Sequence, residues 1–167
     1  LTTGTQNTCV GYSSGVSAAN AQNQTSLGKG AQCTGDNQIT LGNVDVTTLR
    51  CATSTIASIS DNRDKTNIVD STYGLDFINN ITPRQFTWNT REGSIRDGKT
   101  TIGFIAQELQ SAMGEGENDI LDLVLDVNPE KLEIKPGNLI PILVKAVKDL
   151  SAANTALEAR VAALENA

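Results

Sequence analysis

The C-terminal end carries the most regular hydrophobic pattern in the chain. Ile140, Val147, Asn154 and Val161 recur every seven residues, and Leu143, Leu150, Leu157 and Leu164 follow each of them by three. An a/d heptad sustained over four repeats has the 3.5-residue period of a coiled coil. A single helix packed on its own domain is the alternative, but such helices rarely keep strict heptads for so long. Asn138 is the expected N-cap, and Pro141 falls in the first turn, where a missing backbone donor is tolerated. Asn154 at an a position weakens the seam but fixes register and orientation. Arg160 at g and Glu165 at the following e can pair between parallel chains.

Residues 61–135 mix two periods and predict a small α+β domain. Tyr73, Leu75, Phe77, Ile78 and Ile81 space out as a short amphipathic helix that must stop before Pro83. Arg84-Gln85-Phe86-Thr87-Trp88-Asn89 alternates polar and aromatic residues, as a half-buried strand does. Thr100 to Phe104 is its expected partner across a turn near Asp97-Gly98, with Trp88 in the core. A second helix is expected over residues 105–113 and another strand over 121–127.

The N-terminal part reads differently. Of the first 57 residues, 33 are Ser, Thr, Gly, Asn or Gln. Asn23-Gln24-Thr25-Ser26-Leu27-Gly28 recurs as Asn37-Gln38-Ile39-Thr40-Leu41-Gly42, a period of 14, with a looser copy at Val10-Gly11. Short β-prone triplets between Gly, Asn and Asp turns predict stacked β coils in which each repeat leans on its neighbours. The same composition also suits a flexible polar linker.

Charge and composition narrow the function. The net charge of −6 lies wholly in residues 61–167, with 11 basic and 17 acidic side chains, so the composition changes near Ser58 to Asp61. An acid excess argues against a nucleic-acid partner, which needs clustered Lys and Arg. No apolar run approaches the roughly 20 residues of a membrane span, and LTTGTQNTCV has neither the basic nor the apolar region of a signal peptide. His is absent, which removes His-based triads and most zinc sites. Cys9, Cys33 and Cys51 match no disulfide framework and no CxxC motif, which fits synthesis in a reducing compartment. The acid-rich stretch Glu115, Glu117, Asp119, Asp122 and Asp126 lacks the spacing of a calcium loop, and nothing sets Glu108 and Glu115 across a sugar-sized cleft. No metal and no cofactor is expected.

At the composition break stands Ser60-Asp61-Asn62-Arg63-Asp64-Lys65. It resembles the S-D-x-R-x-K opening of the C-terminal intramolecular chaperone domains of phage tail spikes, tail fibres and neck appendages, the endosialidase type, which are self-cleaving peptidases. Gly74 to Ile78 followed by Pro83 to Trp88 is similar to that family's helix and its P-x-x-[FY]-x-W strand. Ile102-Gly103-Phe104-Ile105-Ala106-Gln107-Glu108 is similar to its strand-to-helix junction, and Leu139 to Leu150 to the helix leading into its coiled coil. The resemblance covers about 60 to 165. The heptads likewise resemble a trimer-specifying signature, although spacing alone leaves dimer and trimer open. The N-terminal segment resembles the heads and stalks of trimeric adhesins and phage fibres, as a β-roll or a triple-stranded β-helix.

The resemblance implies a homotrimer with three parts: a β-rich stalk end over 1–59, an α+β chaperone and autoprotease domain over 60–135, and a trimeric coiled coil over 136–167. It implies Ser60 as nucleophile, Lys65 as general base, and a scissile bond between Ser60 and Asp61. The client would be the chain's own stalk. The parent would be a virion fibre, spike or appendage made in the host cytoplasm, with the chaperone part released after cleavage. A lysine can deprotonate serine only when burial or a neighbouring cation lowers its pKa. Arg63 is such a cation, or else it holds a carboxylate or helps form an oxyanion pocket. Because a serine attacking its own carbonyl closes a four-membered ring, three routes stand open: Ser60 of another chain, an activated water, or an N-to-O acyl shift cutting before Ser60. The spacing by itself also allows an inert reading, with Ser60 as a helix cap and Asp61 paired to Lys65 in a non-cleaving fibre tip or adhesin domain. Action on an external glycan would belong to upstream domains.

Overall fold

The computed structural model describes residues 3–53 and 55–166. The chain forms two compact units. The first comprises 1–56 with 85–101 and 127–129, and the second comprises 57–84, 102–126 and 130–167.

In the first unit, β1 (Thr8–Val10), β2 (Thr25–Leu27) and β3 (Ile39–Leu41) make one parallel sheet in chain order. The register sets Val10 beside Leu27 and Leu27 beside Leu41, so the sequence echo is also the pairing register. The turn after each strand is built on glycine for a steric reason. Gly11 sits at φ +137 and a Cβ there would lie 2.5 Å from the Gly28 carbonyl oxygen. Asn23 and Asn37 occupy matching left-handed positions at φ 50 and 57, and the Asn23 amide donates to Asn37 Oδ1 at 2.9 Å. Asn tolerates this conformation better than most side chains.

Between the strands the interior is small and polar. Ala21, Ala31, Cys33, Ser26 and Gln24 are buried. Gln24 Nε2 donates to Ser17 Oγ at 2.6 Å and to Asp36 Oδ1 at 2.9 Å, while its Oε1 accepts from the Ser17 amide at 2.9 Å. A buried amide is tolerated only when satisfied in this way. Asp36 also accepts from the Gln22 amide at 2.8 Å, and that bond followed by the Gln24 bond holds its carboxyl below the usual range. The apolar ladder Val10, Leu27 and Leu41 is exposed. Cys9, Cys33 and Cys51 are free thiols.

The hairpin of β4 (Arg84–Thr87) and β5 (Thr100–Gly103) contributes its residues 85–101 to this unit. The expected place of Trp88 in the core is not observed. Trp88 is half-buried on the hairpin, edge-on to Phe86 at 5.4 Å, because strand alternation puts residues two apart on one face.

The second unit is built around α4 (Leu139–Glu165), about 40 Å long at 1.5 Å per residue. Leu139, Ile142 and Ala146, three to four residues apart, bury one stripe of it. Leu139 and Ile142 join Phe77 and Ile81 of the α1 region (α1, Leu75–Asn80), Ala106 and Leu109 of α2 (Ala106–Ala112), Leu121 of α3 (Glu117–Leu121), and Leu123 with Val124 of β6 (Val124–Leu125). The β6 strand pairs antiparallel with β7 (Glu133–Ile134). Asp149 fixes α1 on α4 by accepting from the Leu75 amide at 3.3 Å while it is ion-paired with Lys145. Those two partners, Lys145 first, hold its carboxyl below the usual range.

Two expectations are corrected here. Residues 121–127 are not one strand, since Leu121 ends α3 and Asp122, at φ 48, reverses the chain before β6. The reversal is held by Asn118, whose side chain bonds both the carbonyl and the amide of Val124 at 2.9 and 3.0 Å. Asn138 does not cap α4. It is itself helical, and its amide donates to the Asp122 carbonyl at 2.8 Å, tying the helix start to the α3 exit.

Leu123 is fully buried, so Leu123→Ala should cost about 2–5 kcal/mol in denaturant unfolding of the second unit. The depressed carboxyl of Asp36 contributes stability above its unfolded pKa and loses it as the pH falls through the folded value. Amide exchange across residues 17–38 should therefore accelerate below about pH 4 in the parent chain and show a shallower acid dependence in Asp36→Asn.

Candidate active site

A single turn of 3-10 helix over Asn62–Asp64 builds the site. Asp61 caps it, with Oδ1 accepting from the Arg63 amide at 2.8 Å, and the Lys65 amide closes it on the Asn62 carbonyl at 3.2 Å. The chain is extended on both sides of the turn, at Asp61 and at Lys65, so residues 60 and 65 lie at its two ends. Their side chains meet: Lys65 Nζ is 2.5 Å from Ser60 Oγ. This is the contact a lysine base and serine nucleophile require.

Of the open roles for Arg63, the structure takes the carboxylate. Its Nε and Nη2 lie 3.0 and 2.7 Å from the two oxygens of Asp61, a bidentate pair. The side-chain bond first, and the backbone bond second, hold the Asp61 carboxyl below its usual range, and the same pair pushes the guanidinium pKa up. Arg63 is 87% exposed on its side chain, so the pair contributes little to stability and serves to shape the turn. The pairing of Asp61 with Lys65 that a spacing of four would allow is not formed, because the turn is a 3-10 helix and Arg63 takes Asp61.

Ser60 and Lys65 are exposed in the single chain, as are Ile56 and Ile59 before them and Ile68 and Val69 after them. The stretches flanking the Ser-Lys contact thus carry four aliphatic side chains that stand in water. Ser60 Oγ cannot reach its own carbonyl carbon without closing a four-membered ring.

Other residues singled out in the sequence have structural partners. Glu108 is bound by Arg84 Nε at 2.9 and 3.1 Å, Glu117 accepts from the Gly114 amide at 2.7 Å and from the Tyr73 hydroxyl at 3.3 Å, and Asp122 pairs with Lys135 at 2.5 Å. The Glu117 charge and burial push the Tyr73 hydroxyl pKa up, burial most. Among the described residues, no group of three metal-ligating side chains occurs, and no helix is long and apolar enough to cross a membrane. A groove of about 380 Å³ beside Ile81, Arg84, Phe104 and Glu108 includes no residue of the 60–65 turn. The Arg84 to Glu108 pair and the Asp149 anchor were missed by sequence reasoning. Lys145 and Asp149 at spacing four were the one legible sign of the latter.

The heptad residues Ile140, Leu143, Val147, Leu150, Leu157, Val161 and Leu164 are all exposed, and so are Asn154, Arg160 and Glu165. From Ser151 to Asn166 every residue of the chain is exposed.

No curated protein and no solved structure gave a match to this chain. The peptidase family described as chaperone of endosialidase matches residues 60–116, a stretch that opens on the Ser60 to Lys65 turn and contains α1, the hairpin and α2. That stretch is therefore similar to the intramolecular chaperone domains of the endosialidase type.

Proposed function

We propose that this chaperone domain trimerises through α4, brings three copies of the 1–59 stalk into register, and then cuts itself free at Ser60/Asp61 with Ser60 as nucleophile and Lys65 as base. The observation that carries the reading is the 2.5 Å contact between Lys65 Nζ and Ser60 Oγ at the first residue of the matched family segment.

The trimer is supported by what one chain leaves uncovered. An isolated helix of 15 exposed residues is marginal in water. Its heptad face is free because the α4 stripe that packs on the domain, Leu139, Ile142 and Ala146, lies beside that face and not on it. The stalk is read as a β-roll, supported by parallel pairing of successive strands within one chain, with Val10, Leu27 and Leu41 facing the other copies. Zipping α4 raises the effective concentration of three stalk ends in a common register, which shortens a slow non-local search. The parent is read as a phage fibre, spike or appendage.

Assembly also supplies what Lys65 lacks alone. Neutral lysine needs desolvation, and closing Ile56, Ile59, Ile68 and Val69 of three chains around the dyads provides it. Lys65 then takes the Ser60 hydroxyl proton as Oγ of one chain attacks the residue-60 carbonyl of another. The C–N bond to Asp61 breaks, the proton passes to the leaving amine, and water hydrolyses the ester. An N-to-O shift would instead join Oγ to the Ile59 carbonyl and cut before Ser60. Once the template is gone, the stalk cannot unfold by the route through which it folded, and its persistence is kinetic.

Intact mass under denaturing conditions should show a fragment of 107 residues, 61–167, in the parent chain and none in Ser60→Ala. A 108-residue fragment would assign the acyl-shift route, and Lys65→Ala should slow either cut by about 10²-fold or more. A full-length parent mass after long incubation would leave the non-cleaving fibre tip as the reading. Leu150→Asp with Leu157→Asp should abolish both trimer, measured by light scattering, and cleavage. Processing by that monomer would sink the coupling.

A further inference from the structure

The hairpin tip is held in one shape by a single carboxylate. Asp97 accepts from the Thr90 amide at 2.8 Å, the Thr90 hydroxyl at 2.9 Å and the Ser94 amide at 3.0 Å. Those donors, Thr90's first, keep its carboxyl below the usual range. Gly93 and Gly98 turn the loop at φ 72 and 78. A loop so fixed presents its outward groups at defined positions, and three successive residues use them. Ser94 Oγ donates to the Val44 carbonyl at 3.3 Å, the Ile95 amide to Asp45 Oδ1 at 3.4 Å, and Arg96 Nη2 to the Val46 carbonyl at 2.9 Å. The guanidinium also lies 5.6 Å over the Trp88 ring, which aims it.

Residues 44–46 are the turn by which the chain leaves β3. The Val46 amide donates to the Asn43 carbonyl at 3.1 Å, and Val46 packs so closely over Gly42 that a Cβ there would lie 2.3 Å from its methyl group. The tip thus meets a turn that exists only when the last stalk coil is formed. All of these groups belong to the first compact unit.

We propose that Ser94, Ile95 and Arg96 form a latch on the exit turn Val44–Val46, which keeps the chaperone fragment on the folded stalk after the chain is cut, so that release is a second step. The latch itself stands on the contacts above. Its role after cutting rests on the proposed cleavage at residue 60.

Two measurements separate these. In uncut full-length Ser60→Ala, Arg96→Ala and, independently, Asp45→Ala should speed amide exchange at 44–46 and 94–96 by about tenfold or more while leaving Thr25 to Leu27 unchanged. Unchanged exchange at the tip in both variants overturns the latch. In the cut parent chain the two fragments should co-elute on native gel filtration, and should separate once Arg96→Ala is introduced. Parent fragments that separate at once, or variant fragments that still co-elute, overturn the retention role. If the parent chain is never cut, the cleavage reading fails alone, and the exchange experiment still decides the latch.

Discussion

The second unit depends on one stripe of α4. Leu139 and Ile142 are the residues against which the α1 and α2 regions, α3 and β6 close, with Ala146 buried on the same stripe, and burying the two larger ones contributes about 1.5–3 kcal/mol each. Asp149 adds direction to that apolar contact by taking the Leu75 amide at the start of α1, so the family segment is anchored both by area and by a hydrogen bond. Because the stripe runs beside the heptad positions, the same helix turn that stabilises the domain leaves Ile140, Leu143 and Val147 facing water. The helix thus has one face committed in its N-terminal half and every described residue exposed beyond Ser151, with its heptad pattern uncovered.

The first unit is stabilised by other means. Its interior is small residues and a satisfied amide, and the order comes from repeated geometry: Asn ladders, glycine turns and parallel pairing. Little apolar surface is buried per coil, and the apolar ladder Val10, Leu27 and Leu41 remains outside. A structure of this kind gains stability per added neighbour.

The Ser60 to Lys65 turn sits where the composition changes, in a stretch with no secondary structure besides its own 3-10 turn. The turn brings Ser60 and Lys65 into contact, and the Asp61 to Arg63 fork keeps its shape without packing. The aliphatic side chains flanking it are unburied. The contact is thus set locally, by the turn alone.

Much of this was written in the residues one after another. The helix before Pro83, the hairpin strands, α2, the register of the stalk and the meeting of residues 60 and 65 depend on local periodicity, turn chemistry or a single short turn, and each appears at or near the place the residues indicate. What the sequence left open or misread was decided by contacts between distant positions. Asn138 has the residue type of a cap but was taken by the Asp122 carbonyl, the strand expected at 121–127 was broken because Asn118 bridges Val124, and Trp88 was drawn under Arg96 rather than into a core. Arg63, with several roles open to it, pairs with Asp61. Local propensity is summed over neighbours along the chain, whereas a polar side chain with several possible partners goes to the one that folding brings within hydrogen-bonding distance, and only the tertiary structure sets that distance.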